Sequence, residues 1–289
     1  MSDASGTLAQ TGRHPTAIVD ESARIHESAT IGPYTVVGPD VEIGARARIG
    51  PHVTIERDTR IGEDCRVWPG AVLGTDPQDL KYVGERTWLE IGPRTRIREY
   101  ATVNRGTAAT GKTVVGEDCL LMAYAHVAHD CRLGDHVVLA NAVNLAGHVH
   151  IGDWAIIGGV SGVHQFVRIG RHSMVGGASR VLQDVAPFTL VAGNPCRAYG
   201  LNRIGLTRRG FAVESLTELR IAFRRLFQSG TPTGRAAEEL FRQSPHAEVR
   251  ELARFVLDSS RGITTPAGPA GAPAGGDAPL PDEGDPDGP

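Results

Sequence analysis

"IGPYTVVGPDVEIGARARIGPHVTI", residues 31–55, carries a branched aliphatic side chain at every sixth position: Ile31, Val37, Ile43, Ile49 and Ile55. The same count runs back through Ile25 to Val19 and forward through Ile61, Val67 and Leu73. It resumes at Ile91, Ile97 and Val103, and again from Val115 to Val181, without losing phase. Only 79, 85 and 109 break it, with Asp, Glu and Ala. A second column, four residues after each mark, holds small or β-branched residues such as Thr35, Val41, Ala47, Val53, Thr59, Cys65 and Ala71, and later Cys119, Ala125 and Cys131. Strand side chains alternate between faces, so both columns point to one interior. Glycine follows many of the marks, as at Gly32, Gly38, Gly44 and Gly50, where the chain is expected to turn a tight corner. A short strand and a corner use six residues, and three such sides close a triangular coil of eighteen. Sustained short periods of this kind define a solenoid.

The repeat resembles the hexapeptide-repeat, left-handed parallel β-helix, and the expected fold class is that all-β solenoid over residues 14–186, followed by a small α-helical domain. The left hand is implied by the resemblance, since crossovers between parallel strands are otherwise right-handed. Two segments leave the ruler, 74–90 ("GTDPQDLKYVGERTWLE") and 104–114 ("NRGTAATGKTV"). Excursions from a rigid scaffold tend to lie on one face and carry binding groups. Beyond Val185 the six-residue count ends. "ESLTELRIAFRRLF" (214–227) then has a helical apolar stripe, and "TGRAAEELFRQS" and "AEVRELARFVLDSS" read as two more helices within 187–262. Residues 1–13 and the Pro/Gly/Ala/acid tail 263–289 are expected to be disordered.

Composition removes several function classes. The formal charge is −3 over 289 residues, and five acids without a Lys or Arg lie beyond Gly262, so nothing demands nucleic acid. No run of about 18 apolar residues is present, and the first residues lack a basic start and apolar block, which points to a cytoplasmic protein. Cys65, Cys119, Cys131 and Cys196 show neither CxxC nor a disulfide framework. Three of them occupy the small inward column, where burial is the simple reading.

The repeat also supplies coordinates. Residues 18 apart stack about 4.8 Å apart. In "AHVAHDC" (125–131) Val127 faces in, so His126 faces out, and His129 and Asp130 fall at the next corner. Eighteen residues on, Gly147 lies over His129 and His148 over Asp130; a further coil brings Gln165 over Gly147, with His164 on the same edge. Isolated histidines on a coil are ordinarily solvated, and His52, His136, His150 and His172 are placed in that class. The stacked group His126, His129, His148 and His164 is read as a site.

The stretches "GTDPQDLKYVGE", "NRGT", "AHVAHDC", "NLAGHVHIGD", "GGVSGVHQFVRIG" and "GLNRIGLTRRGF", from about His14 to Ile263, resemble the acyl-[acyl-carrier-protein]–UDP-N-acetylglucosamine O-acyltransferase family of lipid A biosynthesis. The resemblance implies His129 as general base, Asp130 as its partner and the Gly147 N–H as oxyanion donor. It implies substrate contacts from Asp79, Lys81, His126, His148, His164, Gln165, Asn202, Arg208 and Arg209, and an acyl-length gauge at Gly177. It implies a homotrimer that binds UDP-N-acetylglucosamine and takes its acyl chain from acyl carrier protein. No metal or resident cofactor is implied, the acyl donor being carried on the carrier's phosphopantetheine arm. Ile204 stands where the family pattern has an acid, which puts a base contact from that position in doubt. Arg203, Arg208, Arg209, Arg220, Arg224 and Arg225 would give an acidic carrier protein a basic face.

Three other readings remain. The sibling UDP-3-O-acylglucosamine N-acyltransferase has an N-terminal uridine-binding domain before its coils, whereas here the coils begin almost at once. A zinc hydratase of the γ-carbonic-anhydrase kind uses three histidines on the same fold. A non-catalytic scaffold would bind no sugar nucleotide.

Overall fold

A computed structural model describes residues 12–267. The expected disorder of 1–11 and 268–289 lies outside the described residues. The strands form three parallel sheets, each lining one face of a triangular left-handed coil. Face 1 contains Thr30–Ile31, Arg48–Ile49 and their successors, face 2 contains Ile18–Val19 through Arg180–Val181, and face 3 contains Arg24–Ile25 through Arg168–Ile169. The chain passes from face 2 to face 3 to face 1 on every turn. The marked residues and the small column fill the interior. Ile31, Val37, Ile43, Ile49 and Ile55 are all within 3% of full burial, and Cys65, Cys119 and Cys131 are sealed in with them. Burying each large aliphatic side chain stabilises the coil by roughly 1.5–3 kcal/mol before the entropy of ordering is counted.

The corners differ from the expectation. The glycine after each mark does not make the turn. The left-handed residue comes two positions later, and it is usually not glycine: Tyr34, Asp40, Arg46 and His52 have φ of 54–58°. The glycines are required for a different reason. A Cβ on Gly32, Gly44 or Gly62 would sit 2.6–2.7 Å from backbone of the next coil. They allow close stacking of coils, and the turn itself tolerates side chains, which is how a working residue can occupy it.

Both excursions leave and rejoin at the corner between faces 2 and 3. Val72 pairs with Thr102, 30 residues on, and Thr102 with His126, 24 on, instead of 18. The insertions are thus two repeats and one repeat long, and the ruler keeps its phase. They are shorter than expected, because strands run to Thr75 before the first and from Trp88 after it, and the second spans 105–111 between Asn104 and Lys112.

Three boundaries need correction. Gly12–Arg13, placed in a disordered N-terminus, pair with Thr30–Ile31 and begin face 1. Residues 187–201, assigned to the helical domain, continue face 1. Thr189–Ala192 pair in parallel with Met174–Val175, and Arg197–Leu201 return antiparallel. Val191 lies opposite Val175, sixteen residues away, so an inward side chain persists where the six-residue count has slipped. Ile263 and Thr264, placed in the tail, are joined to Asp184 by a parallel bridge. The helices are α1 (Arg203–Arg208), α2 (Val213–Phe227), α3 (Thr233–Gln243) and α4 (Ala247–Leu257). Six-residue α1 was too short to show a stripe. Leu219, Leu226, Leu240, Leu252 and Phe188 form a second core beneath them, and Arg171 grips Glu251 of α4 with two 2.6 Å contacts.

Candidate active site

The corner between faces 2 and 3 gathers the polar residues. His126 ends up half-buried on face 2 with its ring nitrogen Nδ1 2.7 Å from Thr102 Oγ1. Asp130 occupies the left-handed corner position, φ 61°, and is fully buried. That conformation turns it back on its neighbour, so Asp130 Oδ2 lies 2.8 Å from His129 Nδ1. The second excursion holds the carboxylate. Thr107 donates its N–H to Oδ1 at 3.0 Å and its hydroxyl to Oδ2 at 2.8 Å, and Thr110 donates its hydroxyl to Oδ1. Thr113 Oγ1 receives the Asp130 N–H at 2.8 Å. Burial pushes the Asp130 carboxyl up, but the bonds from Thr110, His129 and Thr107 outweigh it and hold the group below the usual carboxylate range. An ionised Asp130 accepting from Nδ1–H leaves the His129 Nε2 lone pair free.

Gly147 lies directly over that ring. A Cβ there would be 2.5 Å from His129 Cε1 and 2.7 Å from Nε2. No described residue accepts from the Gly147 N–H. The equivalent position of the six-residue repeat is filled at the various corners by Pro33, Pro39, Pro51, Pro69 and Pro93, which have no N–H at all. The ladder does not use this donor, and at Gly147 it is available. His148 stands behind, 3.6 Å from Asp130 Oδ2, edge-on to His129 and stacked on Phe166 at 4.5 Å. Burial lowers the basicity of His148, opposed by Asp130, and it lowers that of His126, with His129 adding to the effect.

His126, His129, Gly147, His164 and Gln165 line one open groove of about 530 Å³, joined by Gln78 from the first excursion and by Arg180. The structure therefore brings together His126, His129, Asp130, Gly147, His148, His164 and Gln165. Asp79 lies close enough to raise the basicity of His148, and Lys81 is exposed two residues further along the same excursion. The excursions brace each other. Buried Arg105 bonds Asp76, the Gly74 carbonyl and Tyr82, and Glu85 receives the Ala108 N–H. Sequence reasoning missed Thr107 and Thr110. The signal available was a Thr-rich insertion of one repeat adjoining the coil that holds Asp130.

Four residues lie elsewhere in the chain. Asn202 is the cap of α1, donating to the His172 carbonyl at 2.9 Å and accepting from Gly205 N–H at 3.2 Å. Arg209 sits over Trp154 at 5.1 Å, and Arg208 is exposed beside it. Trp154 and His172 belong to the corner between faces 3 and 1, so one chain does not unite these groups with His129. Gly177 stands at the corner between faces 1 and 2, above Gly159, whose carbonyl would be 3.3 Å from a Cβ. Of the basic face, Arg203, Arg208, Arg220 and Arg224 are exposed, while Arg225 is paired with Glu239. Ile204 is 70% exposed. His172 contradicts its assignment as a solvated histidine. It is 6% exposed, between Trp154 and Phe188, and burial takes it down to about 4.

A hexapeptide coil with a carboxylate-held imidazole at its corner is the architecture of a hexapeptide-repeat transferase. The bacterial transferase hexapeptide model (six repeats) matches residues 22–57 and 112–147, and the model described as UDP N-acetylglucosamine O-acyltransferase, domain 2, matches 184–264. An acyl-[acyl-carrier-protein]–UDP-N-acetylglucosamine O-acyltransferase of Thermodesulfovibrio yellowstonii is 43% identical over 86% of this chain and 98% of its own length, and that of Alkalilimnicola ehrlichii is 49% identical over 86% and 97%. The crystal structure of the UDP-N-acetylglucosamine O-acyltransferase of Moraxella catarrhalis superposes with a TM-score of 0.84 at 46% identity, covering 87% of this chain and 99% of that one. The chain belongs to the acyl-[acyl-carrier-protein]–UDP-N-acetylglucosamine O-acyltransferase family and is an acyltransferase. No helix among the described residues is long and apolar enough to cross a membrane.

Proposed function

We propose that the chain transfers a 3-hydroxyacyl group from acyl carrier protein to the glucosamine 3-hydroxyl of UDP-N-acetylglucosamine, the reaction that opens lipid A synthesis. The observation that carries this reading is a His129 ring fixed at Nδ1 by Asp130, with Nε2 exposed to the groove under an unused Gly147 N–H. Nε2 takes the proton of the sugar hydroxyl as its oxygen attacks the thioester carbonyl. Asp130 stabilises the imidazolium that forms. The carbonyl oxygen becomes an oxyanion that accepts from the Gly147 N–H. The intermediate collapses with cleavage of the carbon–sulfur bond, and the thiolate takes the proton back from His129 to leave as the carrier's thiol.

The placement of the other residues supports a homotrimer with shared sites. His129 and the Asn202–Arg209 group lie on different corners of one prism, so a second copy is needed to bring them to one substrate. Face 1 carries an outward, half-buried stripe of Leu120, Val138, Ile156, Met174 and Leu190, in register from coil to coil. Such a stripe suits contact between copies. Asp79, Lys81, His126, His148, His164 and Gln165 would then meet the sugar and diphosphate, and Arg208 and Arg209 the uridine diphosphate. Exposed Arg220 and Arg224 suit an acidic carrier, and Gly177 leaves room for a long acyl chain. The zinc reading is weaker. The ligand atoms that converge within 4.8 Å are those of His129, Asp130 and His148, two histidines rather than three, and both Asp130 oxygens already accept two hydrogen bonds each.

The test is acyl transfer from 3-hydroxyacyl carrier proteins of several lengths to UDP-N-acetylglucosamine. Product from wild type and a loss of at least a thousandfold in His129→Ala are expected. No product with any donor would refute the reading, and stoichiometric zinc would restore the hydratase.

A further inference from the structure

Past α4 the chain returns to the coil and is stitched across its last turn. Ser259 Oγ donates to Asp184 Oδ2 at 2.8 Å, the Asp184 N–H donates to the Gly262 carbonyl at 3.0 Å, and the Thr264 N–H donates to the Asp184 carbonyl at 2.8 Å. Asp184 is itself buried, and its other oxygen accepts from the Arg168 N–H at 2.8 Å. Residues 259–264 therefore act as an extra rung laid on the corner between faces 2 and 3, the corner that carries His129, Gly147 and Gln165. This rung delivers Arg261 to His164. Arg261 Nη2 is 3.0 Å from His164 Nδ1, across 97 residues of sequence. Among the described residues this is the guanidinium's one hydrogen bond, and its Nε is buried without a partner. The rung's backbone bonds, rather than a carboxylate, place the arginine.

The chemistry of the contact has one direction. A guanidinium has five donors and no acceptor, so the nitrogen facing it must hold a lone pair. A proton on His164 Nδ1 could reach the Gln165 carbonyl at 3.2 Å, but it would then oppose an Arg261 N–H at 3.0 Å. We propose that Arg261 is a positioning residue of the active site, fixing His164 as the neutral tautomer with its proton on Nε2. The Nε2–H is the end of the ring left for the groove that His164 lines. It donates there to an oxygen of the bound sugar nucleotide, so the C-terminal rung sets the polarity of the substrate-binding wall. The substrate named rests on the function proposed above; the tautomer does not.

The experiment has two arms on the full chain. The first is 15N NMR of histidine-labelled wild type, with the His164 signals identified by their loss in His164→Ala. A neutral ring protonated at Nε2, changing to a tautomer mixture in Arg261→Met, is the expected result; a wild-type ring protonated at Nδ1 overturns the proposal. The second arm is kinetic. Arg261→Met is expected to raise KM for UDP-N-acetylglucosamine about tenfold, the worth of one well-placed hydrogen bond, with kcat changed less than threefold, and Arg261→Lys to recover little. Added to His164→Ala, Arg261→Met should cost nothing further, whereas losses that multiply would refute action through His164. If Arg261→Met does not fold, the wild-type spectrum still decides. If wild type shows no acyl transfer, the proposed function fails and the spectrum judges Arg261 alone.

Discussion

Replacing Gly147 with alanine tests the corner geometry with one methyl group. The backbone at Gly147 lies outside the left-handed region, so alanine meets no conformational penalty there. The new Cβ would stand 2.5 Å from Cε1 and 2.7 Å from Nε2 of His129. Ordinary carbon contacts are about 3.5–4.0 Å, so the ring must withdraw by roughly 1 Å. It cannot withdraw without stretching the 2.8 Å bond to Asp130, because Thr107 and Thr110 hold the carboxylate in place. A misplacement of about 1 Å at a reacting group costs on the order of 100-fold, or about 2.7 kcal/mol of transition-state stabilisation. The loss should fall on kcat, measured as acyl transfer to UDP-N-acetylglucosamine at saturating substrate. Overpacking at this part-exposed ring should lower folding stability by only about 1 kcal/mol, read from the thermal midpoint. A variant with kcat within threefold of wild type would show that the ring and the glycine do not cooperate, and the base–oxyanion pairing would have to be abandoned.

Other outcomes follow from the same structure. Thr107→Val with Thr110→Val strips two hydroxyl donors from buried Asp130. Hydrogen bonds to charged groups contribute about 1.5–3 kcal/mol each, so kcat should drop at least tenfold and the acid limb of the pH–rate profile should move to higher pH; an unmoved limb would deny the support role. Buried His172 has its folded value lowered to about 4, first by desolvation and then by Arg171 and Arg209. Below its ordinary value near 6.5 the unfolded chain binds the proton first, so stability is lost between pH 6.5 and 4, by about 3 kcal/mol. Urea unfolding of His172→Phe across that range should show the slope reduced, since phenylalanine already fills the equivalent corner at Phe166. The thiols are buried and raised, Cys119 and Cys131 to about 12 and Cys65 and Cys196 to about 11. A disulfide reagent at pH 8 should therefore titrate none in the native protein and all four in denaturant.

The coil was legible because its period is enforced at every turn by burial: a polar residue at Ile49 or Leu139 would sit in a sealed interior. The same arithmetic placed Gly147 over His129, since stacking by eighteens depends on phase alone and both insertions are whole repeats. What escaped was whatever departs from periodicity. The strands at 189–201 kept an inward valine at a spacing of sixteen, which a ruler of six does not see. The contacts of Asp130 with Thr107 and of Arg261 with His164 join residues in irregular segments, where no period relates their positions. His172 looked like the other outward corner residues, and only the docking of α1 and Phe211 over it makes it buried.

A solenoid offers three equivalent corners, yet both insertions, the imidazole–carboxylate pair, the unused N–H and the returning C-terminal rung occupy one of them. The reason is mechanical. A site on a flat coil has no walls, and walls can be added only where the chain leaves the coil or comes back to it. Insertions of whole repeats do this without disturbing the core. Here they supply the donors that hold Asp130 on one side, and the last turn supplies Arg261 on the other. The wall that one chain cannot build is the one proposed above for the uridine diphosphate, because Asn202 and Arg209 are fixed at a different corner by the cap of α1 and by Trp154. Contact between unlike corners is heterologous, and such contacts close into rings when the rotation permits. A triangular prism with an apolar stripe on face 1, which borders the Asn202 corner, suits a ring of three, and under the proposed homotrimer its dissociation should abolish activity even with His129, Asp130 and Gly147 intact. Dilution to monomers with full kcat retained would show that the single chain carries a complete site.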